Sequence, residues 1–217
     1  QVDPGAYNGW SGELPGSAVD AETFSLMCAA RGIDYVVLTD AGATKARFQA
    51  AVRAAFAGLR AGDLLVLYYT GHGGQQADVS GDEADGKDET LCLWDGQVPD
   101  DTLAALWQEV YPDVRVFFVA DSCHSGSVYK GLQVKRTIPK DFGGKLIMFS
   151  GCADDQLSYG TPQGSMFTTA LVDAWQNRQS YRQWFDAAAA VMPRSQKAVY
   201  SEFGNVSKEF RNMEALR

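Results

Sequence analysis

Apolar positions follow two different spacings along this chain. Short continuous apolar runs occur at residues 64–69, 114–120 and 146–149, and glycine or polar residues follow each run. Runs of this kind are typical of parallel strands that are buried on both faces. The sequence therefore predicts three buried strands, and it also predicts two shorter strands at residues 34–38 and 91–94.

Helical spacing of apolar residues appears between and after these runs. In one segment, for example, Phe48, Val52 and Phe56 recur every four residues. The predicted helices are residues 21–31, 43–60, 100–111, 165–177 and 181–192. Since strands and helices alternate, the pattern predicts an α/β fold with a mostly parallel central sheet and helices on both faces. The tail from residue 196 is predicted to be irregular.

Composition limits the function. The chain has 217 residues, of which 46% are hydrophobic, and this is enough for one domain with a sizeable core. A net charge of -8 argues against nucleic acid and against an anionic membrane surface, because like charges repel. No apolar run is long enough to span a bilayer, and no secretory signal is visible. We predict a single cytoplasmic domain that is a monomer.

The four cysteines fit a reducing compartment. None forms a C-x-x-C pair, so a zinc site is not expected, and they are too sparse for a disulfide-stapled scaffold. Cys28 and Cys92 lie within apolar segments, where a cysteine is usually a small buried hydrophobic residue. Cys152 and Cys123 instead follow buried strands.

Small polar loops follow the three buried strands, at residues 70–73, 121–124 and 150–152. In open α/β sheets ligands bind beyond the carboxyl ends of the strands, so these loops are expected at one edge. His72 in the first loop and Cys123 in the second are then expected to meet there, although they are distant in sequence.

A cysteine hydrolase needs a thiolate, a proton acceptor and donors for the oxyanion. We predict Cys123 as the nucleophile, His72 as the base, and the backbone N–H groups of Gly73 and Cys123 as the oxyanion donors. The other histidine, His124, adjoins Cys123, and neighbouring side chains that leave a strand point to opposite faces. We therefore expect His124 to make a structural hydrogen bond.

Several motifs resemble those of one peptidase family. Residues 69–74 (YTGHGG) and 121–126 (DSCHSG) are similar to the two catalytic motifs of metacaspases and their bacterial relatives. Supporting stretches at residues 81–91, 150–156 and 167–171 follow the family's order. The resemblance implies a caspase-like fold and a cysteine endopeptidase that cleaves protein or peptide substrates after Arg or Lys.

The resemblance also assigns a pocket for the basic substrate residue. It maps to Asp20, Thr70 and Asp121, with Ser17 beside it. A buried guanidinium or ammonium group needs a carboxylate partner, and two carboxylates cover it better. The alternative for Asp20 is the N-cap of a helix that begins at the next residue. Ser17 and Val19 stand where the family usually has Cys and Asn.

The family has an apolar first strand just before the position of Asp3. The resemblance implies that this strand precedes Gln1 in the complete protein. It also implies a large-subunit-like part at residues 1–130, a basic linker at 130–140 and a small-subunit-like part at 141–217.

Many metacaspases need calcium, and the positions of Asp88, Asp100 and Asp101 match calcium ligands in the family. A further acidic ligand is expected shortly after the nucleophile, but Lys130 lies in that stretch, and lysine would oppose a cation. We predict that no cofactor is required and that any calcium dependence is weak. A solvated acidic loop is the alternative.

The linker itself offers residues that the proposed pocket accepts, so self-cleavage is expected there. The candidate positions are Lys130, Lys135, Arg136 and Lys140. The alternative is an exposed basic loop that is never cut.

Two other functions compete with this interpretation. A caspase-like protease that cleaves after Asp would need a basic pocket, and no Arg or Lys occurs at the matching positions. An inactive caspase-fold module could serve as a binding or scaffold domain, but intact His72 and Cys123 argue against it.

Overall fold

Four strands form the central sheet of the computed structural model, which describes residues 1–81, 86–122, 144–152 and 160–217. The strands of the described residues are β1 Leu64–Thr70, β2 Gly73–Ala77, β3 Lys87–Leu93, β4 Gly96–Pro99, β5 Arg115–Asp121, β6 Lys145–Ser150, β7 Gly160–Thr161, β8 Gly164–Ser165 and β9 Val199–Gly204. The helices are α1 Gly16–Ala29, α2 Lys45–Gly58, α3 Asp100–Gln108, α4 Met166–Ala174, α5 Tyr181–Ala189 and α6 Lys208–Asn212.

The central sheet has the strand order β1-β5-β6-β9. The first three strands are parallel, and β9 runs antiparallel to β6. β1, β5 and β6 are the three apolar runs of the sequence, so the prediction of a mostly parallel sheet is confirmed. β5 is buried from Val116 to its end, because helices cover both of its faces.

Alternate residues of β5 point into two separate helical layers. Phe118 packs with α2 and α3 on one face, whereas Phe117 packs with α1, α4 and α5 on the other. The predicted face of α2 is confirmed, since Phe48 and Phe56 are buried in the first of these layers. Helices therefore lie on both faces of the sheet, as predicted.

Side-chain caps set where several helices begin. Thr44 accepts a hydrogen bond from a backbone N–H in the first turn of α2, Ser165 does so for α4, and Ser207 for α6. Ser180 forms a reciprocal capping box with Gln183 at the start of α5. Ser165 also donates hydrogen bonds to Asp20 and Asp121, two of the predicted pocket residues.

A second, antiparallel sheet with the order β2-β3-β4 was not predicted. Its polar sequence is typical of a loop, and only the stretch 91–94 predicts a short strand. The tail was also interpreted wrongly as irregular, since it contains β9 and α6. β9 pairs with β6 along its whole length, and this tertiary pairing decides its structure.

The prediction of a strand at residues 34–38 is wrong. These residues belong to no sheet of the described chain, and Tyr35 and Val36 are 52% and 77% exposed. A cavity of about 430 Å³ lies between this segment and β1. β1 pairs only with β5 among the described strands, so an added apolar strand would find open backbone groups on its other edge. The family's first strand, expected before Gln1, stays a prediction.

Within the ranges listed above, none of the helices combines the length and the apolar character that a bilayer crossing requires. The division into large and small subunits also stays a prediction, because the linker 130–140 lies outside the described residues.

Candidate active site

The carboxyl ends of β1 and β5 lie side by side and define the site. Their register pairs Thr70 with Asp121 as the last residues of the two strands. On the other side of β5, Ala120 pairs with Ser150 of β6. The three strand ends therefore meet at one edge of the sheet, as the alternation of strands and helices predicted.

His72 lies in the tight connection between β1 and β2. Its Nε2 is 3.2 Å from the carbonyl oxygen of Gly12, and the ring of Trp10 lies with its centroid 4.6 Å from that of the imidazole. A carbonyl oxygen only accepts hydrogen bonds, so Nε2 carries the proton and donates to Gly12. In the neutral ring the lone pair is then on Nδ1.

The surroundings of His72 favour this neutral form. Burial lowers the pKa of the imidazole below its ordinary value of 6.5. The hydrogen bond to Gly12 acts in the opposite direction but is the smaller effect. At neutral pH the ring is unprotonated at Nδ1 and is able to accept a proton.

The backbone N–H of Gly73, the first residue of β2, is directed away from the neighbouring strand β3. Cys92 N donates to His72 O over 3.0 Å, which makes these two residues a hydrogen-bonded antiparallel pair. Gly73 is opposite Leu91 in the next, non-hydrogen-bonded pair. Its N–H is therefore not consumed by β3, which is what the predicted oxyanion donor requires.

Asp20 reaches the site from the second turn of α1. Both of its carboxylate oxygens accept from the backbone N–H of Ser165, over 2.9 and 3.0 Å, and one also accepts from the Thr70 hydroxyl over 3.3 Å. A Cβ at Gly164 would lie 2.5 Å from Asp20 Oδ1, so a side chain at that position would collide with the carboxylate. Asp20 is inside α1 rather than at its N-cap, which rules out the capping alternative.

Asp121 approaches from the opposite side. Its Oδ2 accepts from the Thr168 hydroxyl over 2.7 Å and from Thr168 N over 3.2 Å, and it also accepts from the Ser165 hydroxyl. Thr168 is in the first turn of α4, where backbone N–H groups and the helix dipole favour a negative charge. Ser165 thus holds one carboxylate with its N–H and the other with its hydroxyl.

The two carboxylates are almost inaccessible, at 4% exposure for Asp20 and 3% for Asp121. Burial raises the pKa of Asp20 to about 6; the hydrogen bond from Ser165 opposes this, and the charge of Asp121 adds to it. Among the described residues, no Lys or Arg forms an ion pair with Asp20. Asp20 is therefore buried without a cationic partner among the described residues.

Ser17, the fourth predicted pocket residue, is in the first turn of α1. Its hydroxyl donates to Leu14 O over 2.8 Å. No hydrogen bond of the described chain joins it to Asp20 or Asp121, although it lines the same cavity as Thr70 and His72. The structure therefore brings Asp20, Asp121 and Thr70 together and leaves Ser17 at the side.

The predicted calcium ligands lie at one end of the second sheet. Asp88 and Asp100 are buried; Asp88 lies in β3, and Asp100 and Asp101 begin α3 directly after β4. The described ranges contain no group of three or more His, Cys, Asp or Glu side chains arranged to hold a metal ion. The acidic residues Asp82, Glu83 and Asp85 lie outside those ranges, so calcium binding stays a prediction.

Cys123, His124 and the candidate cleavage positions Lys130, Lys135, Arg136 and Lys140 also lie outside the described residues. The last described residue before Cys123 is Ser122, whose carbonyl oxygen accepts from Cys152 Sγ over 3.1 Å. Cys28 and Cys152 are buried, while Cys92 is half-buried next to the His72 connection.

Some groups of the site were not predicted. Gly12 contributes only a carbonyl oxygen, and no side-chain pattern signals a backbone acceptor. Trp10 gave no signal either, because it lies in a Gly-rich stretch without periodicity. Ser165 had a weak signal, because serine is a preferred residue immediately before a helix, and Thr168 lies in the family-like stretch 167–171.

Comparisons with known proteins point to one family. The model of the caspase domain matches residues 2–211. Metacaspase-3 of Arabidopsis thaliana is 33% identical over 187 residues, which cover 72% of this chain and 52% of that relative. Metacaspase-1 of Kluyveromyces lactis is 31% identical over 188 residues, which cover 75% of this chain and 43% of the relative. The chain thus spans about half the length, or less, of these curated relatives.

Solved structures agree with this result. Protein GSU0716 from Geobacter sulfurreducens superposes with a TM-score of 0.88 at 32% identity, covering 99% of this chain and 94% of that one. Caspase-1 from Spodoptera frugiperda has a TM-score of 0.60 at 13% identity, covering 88% of this chain and 79% of that one, which indicates a shared fold. Because the family model covers nearly the whole sequence, the chain belongs to the caspase domain family and is a metacaspase-like member of it.

Proposed function

We propose that this chain is a cysteine endopeptidase that cleaves peptide bonds after Arg or Lys. The observation that carries the proposal is the pair of buried carboxylates, Asp20 and Asp121, which share Ser165 as a donor at the strand ends beside His72. The side chain of Arg or Lys matches such a pocket in charge, and two carboxylates can accept several N–H donors of a guanidinium.

In the proposed reaction, Nδ1 of His72 takes the proton of the Cys123 thiol, and the thiolate attacks the carbonyl carbon of the scissile bond. The N–H groups of Gly73 and Cys123 donate to the oxyanion that forms. The protonated imidazole then gives its proton to the leaving amine, and a thioester remains. Water, deprotonated by His72, hydrolyses the thioester and releases the new carboxyl terminus.

The register of the sheet supports the choice of Cys123. Thr70 and Asp121 are paired, and His72 and Cys123 each follow their strand's last residue by two positions. Adjacent strands are about 4.8 Å apart, so equivalent positions after paired ends start close together. This spacing supports the proposal that the thiol of Cys123 can reach the base.

A protease that cleaves after Asp is the weaker alternative. Among the described residues, the groups that contact Asp20 and Asp121 are hydroxyls and backbone amides, and an anionic side chain would face two carboxylates of like charge. An inactive binding module is the alternative from a different class. It would not need the tautomer of His72 that leaves Nδ1 available as a base.

We further propose that the enzyme cleaves itself between residues 130 and 140 and does so without a strict need for calcium. Support comes from the basic residues of that segment, which match the proposed pocket, and from the sheet, since β5 precedes the segment and β6 follows it. The two halves would stay together after a cut, because these strands pair with each other.

The first prediction concerns the base. Cys123→Ala and His72→Ala should each lower kcat/KM on an Arg peptide by at least about 10³-fold, because each removes a reacting group. His124→Ala should cost less than about tenfold, since it only removes a neighbouring structural group. Thermal melts monitored by circular dichroism serve as the folding control. Equal losses for the two histidine variants, with both proteins folded, would mean that the base is misassigned.

The second prediction concerns specificity. Wild type should cleave peptides with Arg or Lys before the scissile bond and leave the matching Asp peptide intact. Asp121→Ala should lower kcat/KM for Arg by roughly 10²-fold, because it leaves a buried cation with half of its partners. Asp186→Ala is the matched control, since it removes a carboxylate from an exposed ion pair on α5. Efficient cleavage of the Asp peptide would reject the pocket assignment.

The third prediction concerns pH. Because burial raises the pKa of Asp20 to about 6, this carboxylate is charged above that pH and becomes neutral below it. The preference for Arg over its neutral isostere citrulline should therefore fall as the pH drops from 7.5 to about 5. Comparing two substrates cancels the titration of His72, which affects both equally. Asp20→Asn should show a lower preference that no longer varies over this range; a preference that varies as in wild type would show that another group titrates.

The fourth prediction concerns self-cleavage. Purified wild type, incubated with calcium or with a chelator, should yield fragments that end at Lys130, Lys135, Arg136 or Lys140. Cys123→Ala should remain intact under both conditions, because it lacks the nucleophile. Intact-mass spectrometry measures both proteins. A single uncut wild-type species that is fully active on Arg peptides would exclude self-cleavage, and fragments in calcium alone would contradict independence from the ion.

A further inference from the structure

Two adjacent tyrosines lie near the carboxyl end of β1 and point to opposite faces of the sheet. Tyr69 packs against the layer that contains α2 and α3, whereas Tyr68 packs against the layer that contains α1, α4 and α5. Both side chains have their hydroxyl groups close to the site described above. Neighbours on one strand therefore reach it through different parts of the core.

The Tyr69 hydroxyl holds the backbone of the base. It lies 2.6 Å from His72 O and 3.0 Å from Cys92 O, and its single hydrogen is shared between these two acceptors. His72 O also accepts from Cys92 N. A Cβ at Gly71 would lie 2.8 Å from the Tyr69 hydroxyl oxygen, so the phenol passes directly beside the residue before His72. The connection that carries the base is thus tied to β3 by this hydroxyl as well as by the Cys92 amide.

The Tyr68 hydroxyl instead supports the carboxylate of Asp121, through Thr168. It lies 2.6 Å from Thr168 Oγ1, which in turn donates to Asp121 Oδ2 over 2.7 Å. Since the threonine uses its only hydrogen for the carboxylate, Tyr68 is the donor in the first bond. Burial raises the pKa of Tyr68 well above its ordinary value, so the phenol keeps its proton. The ring also stacks on Phe24 of α1, the helix that carries Asp20, with centroids 4.3 Å apart.

We propose that these tyrosines are positioning residues with separate tasks: Tyr69 fixes the backbone of His72 for proton transfer, and Tyr68 fixes Thr168 and Asp121 for the cation of the substrate. This assignment rests on the proposed function, because it takes His72 as the base and Asp121 as part of a pocket for Arg. Neither phenol needs to touch the substrate.

The two tasks have different kinetic consequences. A displaced base slows proton transfer for every substrate, so turnover falls by the same factor whatever side chain occupies the pocket. A displaced carboxylate weakens only the interaction with a charged side chain. The preference for Arg over citrulline, which has the same shape without the charge, therefore separates the tasks. Loss of folded protein would lower the apparent turnover on both peptides without changing their ratio, so kcat is expressed per active site, as titrated with an arginine-based electrophile.

The experiment compares Tyr69→Phe and Tyr68→Phe on a pair of peptides that differ only in Arg or citrulline. Tyr69→Phe should lower kcat about tenfold on both peptides and leave their ratio of kcat/KM within about twofold of wild type. Tyr68→Phe should raise KM for the Arg peptide about fivefold and lower the ratio by a similar factor, with a smaller change in kcat.

Three further variants complete the test. Tyr200→Phe removes a tyrosine hydroxyl that bonds Glu202 on β9, away from the site, and should behave like wild type. Thr168→Val removes the next link after Tyr68 and should reproduce the lowered ratio, while Thr168→Ser keeps the hydroxyl and should preserve the ratio. These variants also decide the matter if Tyr68→Phe does not fold.

The outcomes separate this assignment from the proposed function. Wild type that cleaves neither peptide would overturn the proposed function and the assignment with it. Active wild type in which Tyr69→Phe lowers the ratio, or in which Tyr68→Phe and Thr168→Val leave it unchanged, would overturn the assignment alone. The assignment would be supported if Tyr69→Phe lowers turnover on both peptides and Tyr68→Phe lowers the preference for Arg over citrulline.

Discussion

The parallel register between β1 and β5 determines how the groups at the strand ends of the proposed site lie relative to one another. Side chains alternate along a strand, so a shift of one residue would exchange the two faces of β5 and move Phe117 and Phe118 into each other's layers. The apolar content of the two layers therefore holds the register. The same register places Thr70 beside Asp121. Packing in the core thus fixes the geometry of the site, although no residue of the core takes part in the chemistry.

This arrangement has an electrostatic cost, because it buries two carboxylates. Two nearly inaccessible carboxylates contact Ser165, and the described residues stabilise both with neutral donors. Asp121 accepts from two hydroxyls and from the N-terminus of a helix. Asp20 accepts from a backbone amide and a hydroxyl. Neutral donors compensate only part of the desolvation of two charges, which is why the pKa of Asp20 is raised. A cationic substrate side chain would relieve this cost on binding. Binding energy of that kind can orient the scissile bond near the base.

Main-chain atoms also position His72, the proposed base. The carbonyl oxygen of Gly12 selects the tautomer of the His72 ring. Hydrogen bonds to the carbonyl oxygen of His72 hold its backbone in position. Two tyrosines that follow each other in the sequence then contact the two halves of the site from opposite layers. The proposed catalytic base and the proposed recognition carboxylate are therefore supported by separate parts of the core.

Much of this was predictable from the sequence, because the strands β1, β5 and β6 are continuous apolar runs and a single functional loop follows each of them. Helix α2 was predictable because its apolar residues Phe48, Val52 and Phe56 recur at helical spacing. The second sheet was not, because Gln75, Gln76 and Asp88 read as a solvated loop and become strand residues only through pairing. Residues 34–38 are a converse case: their β-branched side chains favour a strand, but no described strand pairs with them. Gly12 could not be predicted at all, since it acts through a main-chain atom.

The central claim is that one edge of the sheet contains the nucleophile, the base and an anionic pocket in a single site. A crystal structure of the protein after reaction with an arginine-based electrophilic inhibitor tests this claim most directly. The account predicts a covalent bond from Cys123 Sγ to the inhibitor, Nδ1 of His72 facing that sulfur, and the guanidinium hydrogen-bonded to both Asp20 and Asp121. A guanidinium bound elsewhere, or an inhibitor attached to another cysteine, would contradict it.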